Sequence, residues 1–281
     1  MVSKRSIPEH LASLIQECLK SDHQPPFSDQ SLVELARGDR SLIDSDSGAA
    51  IIASSEFELA VAPSRRSLGF GSELVERVLR VHPNLQSTWS HGDHPAARVL
   101  AKRFGFAPVR TLLKLGTDLE DPSLQGAPAR APKAPHPNDN FTIRAFIPGT
   151  DNQEWLKLNA EAFASHPEQG QITNQDLLDR IAEPWFDSND FLLMFEGNRL
   201  IAFNWLKIDG DAGEIYAIGV DPALQGRGVG ARLMQAGVER LSDRGIRYAE
   251  LYVEADNLAA IALYNSLGFV EIARDVQYRK I

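Results

Sequence analysis

The sequence predicts an α/β protein built twice over, on three observations. The stretch VDPALQGRGVGARL (220–233) has a worn copy, VAPSRRSLGFGSEL, from Val61 to Leu74. DNLAAIALYNSLGF (256–269) aligns without gaps to DHPAARVLAKRFGF (93–106). Between the copies lies TDLEDPSLQGAPARAPKAPHPNDN, residues 117–140, whose prolines at 122, 128, 132, 135 and 137 stiffen the chain and remove backbone donors. Two local matches at comparable separation indicate an internal duplication. They divide the chain into a first domain (1–116), a linker (117–140) and a second domain (141–281).

In the second half, FTIRAFI (141–147) reads as a strand, and Trp155, Leu158, Ala162 and Phe163 follow at helical spacing. FLLMFEG and LIAFNWLKI, joined at Gly197-Asn198, read as a hairpin. EIYAIGV (214–220) is the next strand, then the glycine turn, then a helix over 229–243 closed by Gly245. YAELYVE (248–254) is a strand and DNLAAIALYNSLGF a helix capped by Asp256 or Asn257, and the tail FVEIARDVQYRKI supplies a final strand. The first half repeats the last part of this order: EFELAV (56–61), the glycine turn, a helix at 70–80, LQSTWS, and the helix at 93–106. Only the residues from Ser41 to Val61 remain for its earlier strands, so this copy is shortened.

At 281 residues the chain suits two domains, and 43% hydrophobic with 24% charged residues is ordinary globular composition. A formal net charge of −9 opposes broad nucleic-acid or anionic-membrane binding, which needs a basic face. The single cysteine, Cys18, excludes an internal disulfide and fits a reducing cytoplasm. No apolar segment is long enough for a membrane span and no targeting segment is evident. The expectation is a cytoplasmic monomer acting on a small molecule, without a metal, because no His/Cys/carboxylate cluster has ligand spacing.

A strand, a glycine turn and a helix N-terminus together favour an anion, since unpaired amides and the helix dipole point at it. A Walker loop fits badly, because no Lys-Ser/Thr follows the second glycine. A dinucleotide fingerprint fits badly too, because the turn comes after several strands and a hairpin.

Gln225-Gly226-Arg227-Gly228-Val229-Gly230 resembles the Q/R-x-x-G-x-G/A pyrophosphate loop of the GCN5-related N-acetyltransferases. DNLAAIALYNSLGF resembles that family's Asn…Ala…Tyr…GF segment, and Arg66-Ser67-Leu68-Gly69-Phe70-Gly71 also satisfies the loop pattern. The resemblance implies two tandem acetyltransferase folds, each a mixed, mostly antiparallel sheet flanked by helices. AFASHPEQG, EPWF (183–186), FNWLK, GEIYAIGVDP and LYVEADN are similar to segments of tandem members that acetylate the cysteinyl amine of cysteinyl-glucosaminyl-inositol.

The roles below are those the resemblance implies. Acetyl-CoA is the donor. Ile218, Gly219 and Val220 contact its pantetheine arm through the backbone, and Gln225, Gly226, Arg227, Gly228, Val229, Gly230 and Ala231 hold its pyrophosphate. Asn257, Leu258, Ala259, Ala260, Ile261 and Ala262 complete the cofactor contacts. Glu214 is the general base, acting through water, and strand alternation sets it on one face with Tyr216 and Ile218. Tyr264 is the general acid. Asp29, Glu168, Lys207, Glu214 and Tyr252 bind the acceptor, with Asp29 standing where the family uses a longer glutamate. In the first half, Leu59, Ala60, Val61, Ser67, Leu68, Gly69, Phe70, Gly71 and Ser72 form the matching cofactor set. There Ala101, His94 and Ser55 replace Tyr264, Asn257 and Glu214, so this half is catalytically silent, and its shortened sheet implies weak or absent cofactor binding. Two alternatives stay open: a related enzyme acetylating another small amine or a protein N-terminus, and a non-catalytic acyl-CoA-binding module.

Overall fold

A computed structural model describes residues 7–120, 141–164 and 169–281. Most of the expected linker, residues 121–140, lies outside them. The chain forms two compact units. The first comprises the chain up to Lys114 together with 254–256 and 271–281, and the second Leu115–Val253 with Asn257–Val270.

The first unit opens with helices α1 (Glu9–Asp22) and α2 (Asp29–Arg37). Strands β1 (Ser41–Ser45), β2 (Gly48–Ile52) and β3 (Glu56–Val61) follow, then α3 (Phe70–Val81), β4 (Ser87–Ser90) and α4 (Pro95–Arg103). Strand β5 (Phe106–Asp118) begins in this unit and ends in the second. The first half therefore repeats more of the second than its sequence suggests, because α1 and α2 occupy the helical positions ahead of the strands. Among the described residues no strand precedes α1. Apolar residues at helical spacing make α3 amphipathic, and Leu74, Val75 and Val78 are its buried face.

The second unit runs β6 (Phe141–Ala145), α5 (Asn152–Ala162), α6 (Asn174–Ile181), β7 (Phe191–Glu196), β8 (Arg199–Asp209), β9 (Ala212–Val220), α7 (Val229–Asp243), β10 (Tyr248–Glu254) and α8 (Leu258–Ser266). Its strands lie in the order β10-β9-β8-β7-β6, antiparallel except for the parallel β9–β10 pair. The last strand, β11 (Val270–Lys280), pairs antiparallel with β4, matching Val276 to Ser90 and Arg279 to Ser87. The first unit thus has the order β1-β2-β3-β4-β11, with β3–β4 its parallel pair. Within each unit the strand pairing is mixed and mostly antiparallel.

The second unit's core is aromatic. Trp205 stacks on Phe191 with centroids 4.4 Å apart, and Trp155 meets both rings edge-on. Burying each such side chain contributes on the order of 2 kcal/mol. On the opposite face of the sheet α7 lies close to β8. A Cβ at Gly237 would stand 2.2 Å from Asn204 Nδ2, so only glycine permits that approach. Nη1 and Nη2 of the Arg144 guanidinium donate to the two Asp151 carboxylate oxygens, at 2.7 Å each, tying β6 to the start of α5.

Candidate active site

The site in the second unit is built where the parallel ladder stops. Strands β9 and β10 pair from Ala212–Tyr248 to Ile215–Leu251 and no further. The backbone of β9 from Tyr216 to Val220 continues with no β10 partner in register, and Tyr252, the next residue of β10, is 43% exposed. Beyond Val220 the chain turns through Gly226 (φ 74°) and Gly228 (φ 82°), left-handed values that glycine adopts without strain. Gly228 caps α7, and no side chain closes that end of the helix, so its first amides face outward. At Gly230 a Cβ would meet only Val220 at 3.6 Å and Leu263 at 3.7 Å, ordinary contacts. Glycine there is not required by the chain's own packing, and the loop pattern itself admits alanine at this position.

On its other edge β9 pairs with β8, and a bulge there re-aims its side chains. Trp205 stands opposite Ala217, whereas Leu206 stands opposite Ile215, leaving Tyr216 as the extra residue. A Cβ at Gly213 would point at Leu241 and Ile246, while one at Gly219 would point at Phe203 and Ala162. Odd positions therefore change face between 213 and 219. This corrects the expected alternation: Glu214 and Tyr216 face the α5 side, and Ile218 packs with Leu224, Val229 and Leu233 on the α7 side. Simple alternation fails because a bulge sets two consecutive side chains to one side.

Lys207 and Glu214 stand directly opposite in the β8–β9 register. Lys207 Nζ lies 5.7 Å from the centre of the Trp185 ring, within cation–π range. Tyr264, on α8, is buried at 7% exposure beside Phe269, and burial pushes its phenol up to about 12. Asn257 caps α8, its Oδ1 accepting from the Ala260 amide at 3.2 Å, and Leu258 is 73% exposed in the first turn. The second unit thus carries Glu214, Lys207, Tyr252, Tyr264 and the glycine loop. Asp29 is exposed in the first turn of α2, in the first unit. Glu168 lies outside the described residues.

The first unit reproduces the backbone plan. Its parallel ladder covers Glu56–Ser87 to Glu58–Trp89, leaving Leu59 to Val61 without a β4 partner. Ser67 (φ 61°) and Gly69 (φ 95°) hold the left-handed positions of Gly226 and Gly228. Arg66, in the place of Gln225, donates to both Asp22 carboxylate oxygens at 2.6 and 2.7 Å and through Nε to the Val61 carbonyl. A cavity of about 750 Å³ opens there, lined by Leu59, Val61, Ser67, Gly69, Ser72 and Ala101 among others. His94 caps α4 as Asn257 caps α8.

Sequence reasoning assigned no role to Arg180, Trp185 or Tyr216, although EPWF and GEIYAIGVDP contain two of them. Nor did it find His91, whose Nδ1 lies 2.9 Å from Asp275 and whose Nε2 lies 3.4 Å from Glu58. No local spacing joins those three residues.

The GNAT acetyltransferase family model matches residues 153–269. A protein named mycothiol acetyltransferase from Catenulispora acidiphila is 43% identical over 232 residues, 79% of this chain and 71% of its own. One of the same name from Kocuria rhizophila is 39% identical over 295 residues, 97% of this chain and 95% of its own. Among solved structures, a tandem GNAT protein from the clavulanic acid biosynthesis pathway superposes with a TM-score of 0.68 at 16% identity, covering 98% of this chain and 96% of that one.

Proposed function

The chain belongs to the GNAT family of acetyltransferases and is an N-acetyltransferase, and we propose that its acceptor is the cysteinyl amine of cysteinyl-glucosaminyl-inositol, the product being mycothiol. The family's donor is acetyl-CoA, which when bound supplies a thioester acetyl group. The observation that carries the reading is the end of the β9–β10 ladder at Ile215–Leu251, one residue past Glu214 and ahead of the glycine loop. An interrupted parallel ladder frees strand amides and carbonyls for an extended amide-bearing arm. The outward amides from Gln225 to Ala231, at the positive end of α7, suit a pyrophosphate.

Glu214 takes the proton of the acceptor ammonium through water and leaves the amine able to attack. An amide near Ile218 stabilises charge on the carbonyl oxygen. Tyr264 holds its proton throughout the neutral range, because burial raises it to about 12, and gives it to the leaving sulfur. Lys207, Tyr252 and Glu168 orient the acceptor. The name these relatives carry, mycothiol acetyltransferase, supports this acceptor.

A second role has its own observation. The cavity beside Leu59–Val61 gives the first unit room for an acyl-CoA arm, without a tyrosine at Ala101 or a carboxylate at Ser55. In this reading the first unit binds acyl-CoA and performs no chemistry.

Product analysis tests the reaction. Mass spectrometry of the conjugate after incubation with acetyl-CoA is expected to show one acetyl group, on the cysteinyl nitrogen. Acetylation of another amine alone would transfer the chain to a different acceptor class.

A further inference from the structure

Tyr216 is the residue that the β9 bulge leaves without a β8 partner, so the ladder does not fix its side chain. Its position is set by side-chain contacts instead. Arg180 Nε donates to Tyr216 Oη at 2.9 Å, and the ring packs against Trp185 at 5.3 Å and Trp205 at 5.4 Å. Arg180 is itself held: its Nη1 donates to the Asp176 carbonyl at 3.1 Å within α6. That helix starts from a reciprocal cap between Thr173 and Asp176 and buries Leu177 completely.

Trp185 continues the array to Lys207, 5.7 Å from its ring, and Lys207 faces Glu214 across the strands. Arg180, Trp185, Tyr216, Lys207 and Glu214 are all half-buried rather than sealed in the core. They bring two aromatic rings, two cations and a carboxylate to one face. Aromatic rings accept the apolar C–H faces of a sugar or cyclitol, while fixed charged donors meet its hydroxyls.

We propose that Arg180 is a positioning residue of the acceptor site, and that the Tyr216–Trp185 wall it braces takes the ring portion of a polyhydroxylated amine. This rests on the reaction proposed above. The charge-assisted bond to Tyr216 replaces the order that the bulge removes. A wall in place holds the ring so that the amine lies before Glu214. A slack wall weakens acceptor binding and leaves the donor site, at the glycine loop, untouched.

The test uses the full-length chain and Arg180→Gln, Tyr216→Phe and the double variant. KM for cysteinyl-glucosaminyl-inositol, KM for acetyl-CoA, and Tm are measured for each. Each single variant is expected to raise the acceptor KM about tenfold and leave the acetyl-CoA KM unchanged, and the double variant is expected to be no worse than either. Arg180→Lys should recover part of the loss. With L-cysteinamide, which carries the amine and no ring, the variants should match wild type. Additive losses, an equal rise in both KM values, or the same loss with cysteinamide would overturn the proposal. If the wild type leaves the conjugate unacetylated, the proposed reaction fails on its own. The comparison is then made with ring-bearing and ringless forms of whichever amine it does acetylate, and equal losses on both overturn the Arg180 assignment.

Discussion

Ile215 and Leu251 form the last matched pair of the parallel β9–β10 ladder, and the next five residues of β9 continue without a β10 partner. Unpaired strand backbone is costly unless something hydrogen-bonds it, and in the proposed reaction this edge is where the donor's arm docks. It lies between Glu214, the proposed base, and the glycine loop, the proposed pyrophosphate site.

Gly230 offers a clean test of the loop. Its backbone is not left-handed and a Cβ there would make only ordinary contacts, so Gly230→Ala should leave Tm within about 1 °C. The loop pattern Q/R-x-x-G-x-G/A admits alanine at this position, so KM for acetyl-CoA should also stay within about twofold, whereas Gly230→Asp, which sets a carboxylate against the bound phosphates, should raise it about tenfold. Steady-state kinetics with varied acetyl-CoA, alongside a melting curve, check both halves of that statement.

Glu214→Gln and Tyr264→Phe should each lower kcat by roughly a hundredfold or more, the range for a lost acid or base. Neither should raise KM for acetyl-CoA. An unchanged kcat in Tyr264→Phe would make the phenol a packing group against Phe269.

His91 gives the first unit a pH signature. Burial pulls its imidazole down, but Asp275 and Glu58 push it up to about 10, against an ordinary 6.5. Glu58 is raised by burial, yet His91, Ser31 and the Ser28 amide bring it down to about 2, against 4.5. The histidine's contribution is complete below pH 6.5 and is lost as pH rises through 10. The glutamate's is present above pH 4.5 and is lost as pH falls through 2. Thermal melting is therefore expected to peak between these limits and fall toward pH 10. His91→Gln should flatten the alkaline fall and cost about 3 kcal/mol at neutral pH, because it removes the imidazolium that stands between two carboxylates, Glu58 and Asp275.

The first-unit cavity predicts a stoichiometry. Equilibrium dialysis should find two acetyl-CoA molecules per chain, one in each unit. Ala97 lines the cavity, and Ala97→Trp, which sets an indole into it, should reduce the number to one.

The duplication, the glycine loops and the helix bearing Tyr264 were legible in the sequence because each is a contiguous run whose spacing sets its geometry. VDPALQGRGVGARL carries its turn and helix start within fourteen residues, and α7 begins and ends as its glycines indicate. The bulge at Tyr216 was not legible, since it arises from the register of two strands and EIYAIGV alternates unbroken on paper. Pairing of β11 with β4 escaped for the same reason: its partner lies about 190 residues earlier, and loop closure over that span leaves no local mark. Arg180 and Tyr216 meet only because α6 and β9 fold together.

The most direct measurement of the central claim is the rate of CoA release from acetyl-CoA across a panel of amines. The panel contains cysteinyl-glucosaminyl-inositol, simple amino sugars, polyamines and peptides at equal concentration. The account predicts that kcat/KM is highest for the cysteinyl conjugate and that release without an amine is negligible. Preference for a peptide, or release independent of any amine, would contradict it.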